Sequence, residues 1–229
     1  MKLAVNIGNT NIAVGYYENN GLIVKRYSHD DFNFTEQNIT KIEIASVVPS
    51  LTDKVFDKLK NATGVEPKIL SIADLDIDYS AYDSALLGID RLLVCIGAIK
   101  KYQHSLIVFD LGTAITVNVV DKNKKFLGGA ILAGLDMSLK ALTAGTALLP
   151  LGGLNPPDNI IGKNTLEALA SGSLYGTASM IEGMSKKIAE STKQDFKIVL
   201  TGGGAKHILP FLSFCNYIYE KELLLEGML

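Results

Sequence analysis

Short runs of apolar, mostly β-branched or aromatic residues open the chain, and turn-forming residues separate them. The runs are Leu3–Ile7, Ile12–Tyr17 and Leu22–Tyr27, with Gly8-Asn9-Thr10 and Asn19-Asn20-Gly21 between them. Apolar β-formers bounded by Gly and Asn are typical of strands joined by tight turns. The opening pattern therefore predicts an antiparallel meander of three strands.

Strands and helices alternate through the rest of the first half. The predicted elements are a strand over Ile42–Val48, a helix over Leu51–Lys60, a short strand over Lys68–Ile72 and a helix over Asp90–Lys101. Pro49 closes the first of these strands, and Ser50 is placed to cap the helix that follows.

The second half repeats this order of elements. The predicted elements are strands over Ser105–Asp110, Ala114–Val120 and Phe126–Leu132, helices over Leu135–Ala144 and Thr165–Ser191, a strand over Lys197–Leu200 and a helical pattern over Ala205–Leu212. The glycine-rich Thr201-Gly202-Gly203-Gly204 before the last helix has two interpretations. It lets a backbone approach a flat adenosine closely, or it is a plain strand-to-helix turn.

An internal repeat relates the two halves. The segment Asn6-Ile7-Gly8-Asn9-Thr10-Asn11-Ile12 aligns with Asp110-Leu111-Gly112-Thr113-Ala114-Ile115-Thr116. Coincidence between two hairpins is the alternative, because hairpins reuse Gly, Asn and Thr. Both copies place a polar residue at the strand end and the glycine at the same offset. This match favours a duplicated α/β architecture with one lobe over residues 1–103 and a second over residues 104–229.

Composition narrows the class of protein. The chain has 229 residues, 48% of them hydrophobic and 20% charged, which excludes a disordered or fibrous chain. Its net charge of −2 argues against nucleic-acid binding, which needs a basic surface. The longest apolar run when glycine is counted, Phe126–Leu135, is far shorter than the ~20 residues that span a bilayer. Cys95 and Cys215 are predicted to be reduced, buried thiols. We therefore expect a soluble, cytoplasmic protein with no nucleic-acid or membrane partner.

The two repeated turns are candidates for phosphate binding. Glycine-containing turns with backbone N–H groups and small side chains wrap phosphates. Two such turns facing each other across a cleft would hold a nucleotide from both sides. The chain contains no G-x-x-x-x-G-K-[ST] motif, which excludes a P-loop protein.

Two carboxylates are candidates for chemistry. Asp90, within Gly88-Ile89-Asp90-Arg91, either acts in a site or simply caps a helix, and Arg91 either serves the same site or pairs with a neighbouring carboxylate. Asp110 ends an apolar strand, where a carboxylate is costly unless it is hydrogen-bonded or bound to a cation. Structural or surface roles are expected for the three histidines, His29, His104 and His207.

Seven short motifs follow one another along the chain. They are Val5-Asn6-Ile7-Gly8-Asn9-Thr10, Ala45-Ser46-Val47-Val48-Pro49, Gly88-Ile89-Asp90-Arg91, Asp110-Leu111-Gly112-Thr113-Ala114, Gly128-Gly129-Ala130-Ile131, Gly162-Lys163-Asn164-Thr165 and Leu200-Thr201-Gly202-Gly203. In this order they resemble the motifs of the type III pantothenate kinases, which belong to the acetate kinase, sugar kinase, Hsp70 and actin superfamily. The resemblance implies an actin-like (ribonuclease H-like) fold with mixed sheets flanked by helices.

The resemblance also implies an activity and a site. The expected reaction is ATP-dependent phosphorylation of pantothenate to 4′-phosphopantothenate, the first step of coenzyme A biosynthesis. Residues expected to bind the phosphates of ATP are Asn6, Ile7, Gly8, Asn9, Thr10, Asn11, Ile12, Ala13 and Thr113. Residues expected to bind pantothenate are Tyr82, Gly88, Ile89, Asp90, Arg91 and Thr165, with Asp90 as the general base. The resemblance implies three further features: Mg²⁺ as a cofactor with ATP, a monovalent cation (K⁺ or NH₄⁺) bound by Asp110, and a homodimer that completes the site.

Two positions depart from the family pattern. Asn6 stands where the family usually has Asp, and Ala133 stands where it usually has Pro. Asparagine lacks a negative charge that would attract Mg²⁺, so we expect weaker binding of Mg–ATP. This departure supports one alternative, a regulator of the same fold that binds nucleotide or pantothenate without turnover. Another alternative is a superfamily kinase for a different hydroxylated substrate, which the order of the motifs disfavours.

Overall fold

A computed structural model describes residues 1–214 and 216–229, and Cys215 lies outside the described residues. The chain forms two compact units. Unit 1 contains Met1–Gln103, Asn123–Leu127 and Glu222–Leu229, and unit 2 contains His104–Lys122 and Gly128–Lys221. The division of roles between residues 1–103 and 104–229 stays a prediction.

The elements follow one another in mixed α/β order. They are β1 (Lys2–Ile7), β2 (Ile12–Glu18), β3 (Gly21–Tyr27), β4 (Lys41–Ser46), α1 (Pro49–Thr63), β5 (Lys68–Ile69), α2 (Ile89–Tyr102), β6 (Leu106–Leu111), β7 (Ala114–Val120), β8 (Phe126–Ala133), α3 (Leu135–Gly145), α4 (Thr165–Thr192), β9 (Lys197–Thr201), α5 (Ala205–Ile208), β10 (Tyr217–Tyr219) and α6 (Leu223–Met228). Short 3₁₀ helices cover Ile72–Asp74, Ser84–Leu86 and Leu209–Phe211.

The two sheets have the same topology. One has the strand order β3-β2-β1-β4-β5 and the other β8-β7-β6-β9-β10. The central strand pairs antiparallel with the next strand in both sheets, β1 with β2 and β6 with β7. It pairs in parallel with β4 in the first sheet and with β9 in the second. The predicted fold class, a duplicated α/β architecture of mixed sheets flanked by helices, is confirmed.

Alternation along β1 divides the core of unit 1 between two faces, because successive strand residues point to opposite sides. Leu3, Val5 and Ile7 are completely buried in the cluster that contains Val55 and Leu59 of α1. Ala4 packs on the other face in a cluster with α2 and α6 residues such as Leu93 and Leu225. Period-two alternation places Asn6 on the same face as Ala4, which is the face that α2 covers.

Several predicted elements differ in detail. Ser50 does not cap α1: the N-cap is Val48, and Pro49 begins the helix with its φ already suited to it. The Ser46 hydroxyl accepts the Val48 N–H at 3.1 Å, so this N–H before the helix has a hydrogen-bond partner. The predicted strand over Lys68–Ile72 is reduced to Lys68–Ile69.

The predicted helix over Ala205–Leu212 is also shortened. Four residues are α-helical, and a 3₁₀ turn over Leu209–Phe211 follows. Pro210 has no N–H to donate, so the α-helical hydrogen bond is lost there. The sequence did not predict β10 or α6, whose three and six residues are too few to show a period.

Cys95 is confirmed as a free, buried thiol in α2. Its apolar surroundings raise the pKa of the thiol to about 12, and the nearby Arg91 opposes this rise. Within the part of the chain that the structure describes, no helix is both long and apolar enough to cross a membrane.

Candidate active site

The first candidate phosphate loop joins β1 to β2. Ile7 pairs with Ile12, so the turn consists of the residues between them. The Gly8 N–H donates to the Asn11 carbonyl at 3.0 Å and closes the turn. Asn9 and Thr10 are exposed at its tip, whereas the side chains of the flanking predicted phosphate residues, Ile7, Ile12 and Ala13, are buried. Those three residues therefore have only their backbone to offer a ligand.

The second candidate loop joins β6 to β7 and is one residue shorter. Leu111 pairs with Ile115, which leaves Gly112–Ala114 between the strands, whereas Ile7 and Ile12 leave Gly8–Asn11. The aligned segments therefore match only as far as the glycine. The Gly112 N–H donates to the Ala114 carbonyl at 3.1 Å, as Gly8 does within its own turn.

Asn6 and Asp110 occupy equivalent positions in the two sheets. Asn6 lies between Ala13 on the antiparallel neighbour and Ala45 on the parallel neighbour. Asp110 lies between Thr116 and Thr201 in the same arrangement. The repeat therefore presents an amide at the strand end in unit 1 and a carboxylate in unit 2.

A glycine-rich turn covers Asp110 in unit 2. Gly202 has a φ of +86°, and a Cβ there would lie closer than 3.0 Å to Asp110 Oδ1 and to the Leu111 backbone. Close approach to β6 therefore explains this glycine without a ligand. Gly203 is exposed, and a Cβ there would meet nothing within 4 Å.

The fit of Asp110 to a cation follows from its donor atoms. Carboxylate oxygens are the ligands that hard cations prefer. Among residues 1–214 and 216–229, no three His, Cys, Asp or Glu side chains are grouped to hold a metal ion. Asp110 therefore suits a cation whose remaining ligands come from a bound phosphate, from water or from carbonyl groups.

The motif Gly88-Ile89-Asp90-Arg91 forms the first turn of α2. Gly88 is the N-cap, and Asp90 Oδ1 accepts the Arg91 N–H at 2.9 Å. A Cβ at Gly88 would lie closer than 3.0 Å to that same oxygen, so a side chain at this position would displace the carboxylate. Burial raises the pKa of Asp90, against the opposing effect of the Arg91 N–H and charge. The result is a largely desolvated carboxylate that accepts a proton more readily than an exposed one.

Arg91 lies in an aromatic pocket and is only 5% exposed. Its Nη1 donates to the Tyr82 hydroxyl at 3.1 Å. The guanidinium carbon lies 5.4 Å from the Tyr82 ring centroid and 5.3 Å from that of Phe126. The structure therefore brings Tyr82 to the Gly88–Arg91 motif. It also adds Phe126, a residue that no sequence motif indicated.

An apolar cluster in unit 1 joins the substrate motif to the first phosphate segment. Ile89 packs in the same cluster as Ala4, Ala13 and Ala45. The beginning of α2 therefore lies on the face of the sheet to which these residues of β1, β2 and β4 point. Within unit 1, the structure brings the predicted base and the predicted phosphate residues onto one face of the sheet.

Thr165 is exposed and begins α4 in unit 2. The Asn164 side chain caps this helix by accepting the Glu167 N–H at 3.0 Å. Glu167 Oε2 in turn accepts the Lys163 N–H at 2.8 Å. The cap therefore fixes the backbone around Thr165 and leaves its side chain available to a ligand.

Known proteins match both the sequence and the fold. The family model for type III pantothenate kinase matches residues 2–187. The chain belongs to the type III pantothenate kinase family. The type III pantothenate kinase of a Sulfurihydrogenibium species is 34% identical, with 100% of this chain and 98% of the relative covered. That of Thermus thermophilus is 33% identical, with 100% and 97% covered.

A solved structure of a Campylobacter jejuni protein, assigned to the Baf family of transcriptional activators, has the same fold. It superimposes with a TM-score of 0.66 at 24% identity, covering 99% of this chain and 94% of that one. At this identity, the likeness supports the fold that the type III pantothenate kinase family shares and carries no functional argument.

Proposed function

We propose that this protein transfers the γ-phosphoryl group of ATP to the hydroxyl of pantothenate, giving 4′-phosphopantothenate at the first step of coenzyme A biosynthesis. Membership of the type III pantothenate kinase family over most of the chain supports this reaction. The observation that carries it is the partly buried Asp90 carboxylate at the start of α2, beside the enclosed Arg91. This is the arrangement expected of a base next to a fixed positive charge.

Asp90 acts on the attacking hydroxyl in this proposal. The pantothenate oxygen forms a bond to the γ-phosphorus, the bond from that phosphorus to the β,γ-bridging oxygen breaks, and the hydroxyl proton passes to Asp90. Burial raises the pKa of Asp90, which brings it closer to the range where a base is effective. Tyr82, Gly88, Ile89, Arg91 and Thr165 complete the proposed pantothenate-binding set.

The proposed phosphate contacts are mostly backbone groups. Gly8–Asn11 supplies turn N–H groups, Asn6, Ile7, Ile12 and Ala13 flank it, and Thr113 contributes from the second loop. Mg²⁺ accompanies ATP, and a monovalent cation, K⁺ or NH₄⁺, is proposed at Asp110. Such cations offset the negative charge on the phosphates. Phosphoryl transfer depends mainly on positioning and charge neutralisation, and this set of residues offers both.

A homodimer is part of the proposal. Large apolar side chains are exposed between β8 and the start of α4, namely Ile131, Met137, Leu142, Leu148, Leu151, Ile160, Ile161 and Leu166. Where such side chains form one contiguous exposed patch, they mark a protein interface. We propose that a second copy of this chain covers these side chains. The proposed location of the dimer is the cytoplasm. Sedimentation equilibrium measures this oligomeric state directly.

A regulator without turnover is the second candidate function. The observation that favours it is Asn6, which gives unit 1 an amide where unit 2 has the Asp110 carboxylate. Such a protein would bind ATP or pantothenate through the same residues. The two candidates differ in whether ADP is released when both ligands are present.

Release of ADP tests the proposed function. Purified protein is given ATP, Mg²⁺ and pantothenate, with K⁺, NH₄⁺ or neither. We expect ADP release that requires pantothenate, a product with the mass of 4′-phosphopantothenate, and a higher rate with one of the two cations. Tight ATP binding without turnover in either cation would favour the regulator instead.

Changing Asn6 to aspartate should strengthen the use of Mg²⁺. The added carboxylate lies at the position equivalent to Asp110 and offers the anionic oxygen that Mg²⁺ prefers. We expect the Mg²⁺ concentration for half-maximal activity to fall severalfold. Asn20→Asp is the control, because it adds the same charge in the exposed turn between β2 and β3, outside the proposed site. An unchanged Mg²⁺ dependence in Asn6→Asp would contradict this prediction.

A further inference from the structure

A histidine from the loop after β3 holds the first phosphate loop. His29 Nε2 lies 2.9 Å from the Gly8 carbonyl oxygen, at hydrogen-bonding distance. A carbonyl oxygen only accepts, so the hydrogen must be on Nε2. Both the Nε2–H tautomer of the neutral ring and the imidazolium satisfy this requirement. His29 therefore donates to the loop whatever its charge.

The second loop is also held by a hydrogen bond to one of its carbonyl groups, but at the residue after the glycine and from a different donor. The Gly134 N–H donates to the Thr113 carbonyl at 3.0 Å. Gly134 follows β8 as His29 follows β3, and these strands have the same place in their sheets. A Cβ at Gly134 would lie closer than 3.0 Å to the Thr113 and Gly112 carbonyl oxygens. Unit 2 therefore uses a closely approaching backbone, and unit 1 uses an imidazole side chain.

The loop that carries His29 is itself held in place. The Ser28 hydroxyl donates to Asp31 Oδ2 at 2.7 Å and accepts the Asp31 N–H at 3.2 Å. Tyr27 and Phe32 pack edge to face with ring centroids 5.3 Å apart. Lys58 of α1 donates to the Phe32 carbonyl at 2.9 Å. These contacts on both sides of His29 fix its backbone, so its bond to Gly8 restrains the loop.

The hydrogen bond fixes the direction of a backbone donor. The peptide between Gly8 and Asn9 is planar and trans, so the Asn9 N–H points opposite to the Gly8 carbonyl. Holding that carbonyl towards His29 therefore aims the Asn9 N–H away from His29. Asn9 is exposed at the tip of the turn, where a phosphate oxygen would accept this hydrogen.

We propose that His29 is a positioning residue for ATP, which orients the Gly8–Asn9 peptide of the first phosphate loop as Gly134 orients the second loop. The inference deepens the proposed kinase function and rests on it. His29 acts through the loop and does not touch the reacting atoms. Its removal should therefore weaken nucleotide binding and leave the pantothenate site unchanged.

Steady-state kinetics of three His29 variants test this role. We expect His29→Ala and His29→Leu to raise KM for ATP about three- to tenfold, as loss of one hydrogen bond implies. The KM for pantothenate should change less than about twofold, which is smaller than the effect of losing one hydrogen bond. His29→Gln should return KM for ATP towards the wild-type value, because its amide can donate to the same carbonyl. His104→Ala is the control, since that ring contacts the Ser105 carbonyl next to the start of β6.

Calorimetric binding of ADP gives a readout that does not need turnover. We expect the affinity for ADP to fall in His29→Ala and His29→Leu and to recover in His29→Gln. Unchanged ADP affinity in the first two variants, or an equal rise in both KM values, would overturn the proposal. Failure of His29→Gln to recover ADP affinity would also overturn it. The three variants could show the expected changes in ADP affinity while the wild-type protein does not phosphorylate pantothenate. In that case the positioning role stands and the proposed function fails.

Discussion

Replacing Asp90 with asparagine is expected to lower kcat by about 10²–10⁴-fold, the usual contribution of a general base. The amide keeps the size of the side chain, and its oxygen still accepts the Arg91 N–H that Asp90 Oδ1 accepts at 2.9 Å. It cannot take the proton of the attacking hydroxyl. KM for ATP should stay close to the wild-type value, because the phosphate contacts are elsewhere. Initial rates of ADP release measure both quantities.

Asp136→Asn is the matched control for Asp90→Asn. Both aspartates are the second residue of a helix whose N-cap is glycine, Gly88 for α2 and Gly134 for α3. Asp136 is exposed, so its replacement removes the same interaction with the helix dipole without removing the proposed base. Equal losses of kcat in the two variants would show that Asp90 only stabilises its helix.

The raised pKa of Asp90 also sets the direction of two pH effects. The base must be ionised, so the acidic side of the rate profile should lie at higher pH than an ordinary aspartate would give. The folded state holds the proton more tightly than the unfolded state does. The free energy of unfolding therefore falls as pH rises from the ordinary pKa of aspartate through the raised one. Asp90→Asn should consequently be no less stable than the wild-type protein at neutral pH.

Replacing Gly97 with alanine is expected to lower the free energy of unfolding by about 3 kcal/mol, the upper part of the range for overpacking. A Cβ on Gly97 of α2 would lie closer than 3.0 Å to the Leu223 carbonyl oxygen of α6. A Cβ on Gly227 of α6 would meet the Leu93 carbonyl oxygen of α2 equally closely. The two helix backbones are therefore in direct contact, and backbone moves less easily than a side chain.

Urea denaturation measures this effect against Gly183→Ala. Gly183 lies within α4, and a Cβ there would meet nothing within 4 Å. Alanine favours a helix by up to about 1 kcal/mol over glycine, so this variant should be as stable as the wild-type protein or more stable. Equal urea midpoints for Gly97→Ala and Gly183→Ala would show that the close contact between α2 and α6 does not affect stability.

Patterns of local sequence predicted most of the sheets and part of the site. Alternation and turn residues predicted β1–β3 and their repeat, because neighbouring strands need only a short turn to pair. The motif Gly88–Arg91 with Tyr82 was also found from the sequence, and the structure joins Arg91 to Tyr82 by a hydrogen bond. No local pattern marks Phe126 as part of that pocket, because it reaches Arg91 from a segment far along the chain.

His29 shows a different reason for a missed residue. Spacing among the three histidines predicted no role, because its partner is a backbone carbonyl and not another side chain. The register of the meander contained a usable signal. Tyr27 pairs with Ile12, so the residues after Tyr27 must lie beside the loop that precedes Ile12. Extending the predicted hairpin register by two residues would have brought His29 to the phosphate loop.

Glu222–Leu229 belongs to unit 1, although the whole of unit 2 precedes it in the sequence. Arg26 of β3 pairs with Glu222 at 2.5 Å, and Lys101 near the end of α2 pairs with Glu226 at 2.8 Å, so ion pairs bind this segment to both elements. A ribosome adds roughly 5–20 residues per second. Residues 1–103 therefore leave the ribosome several seconds before the segment that covers α2. During that interval the face of α2 that carries Leu93 and Gly97 lacks the cover that α6 later provides.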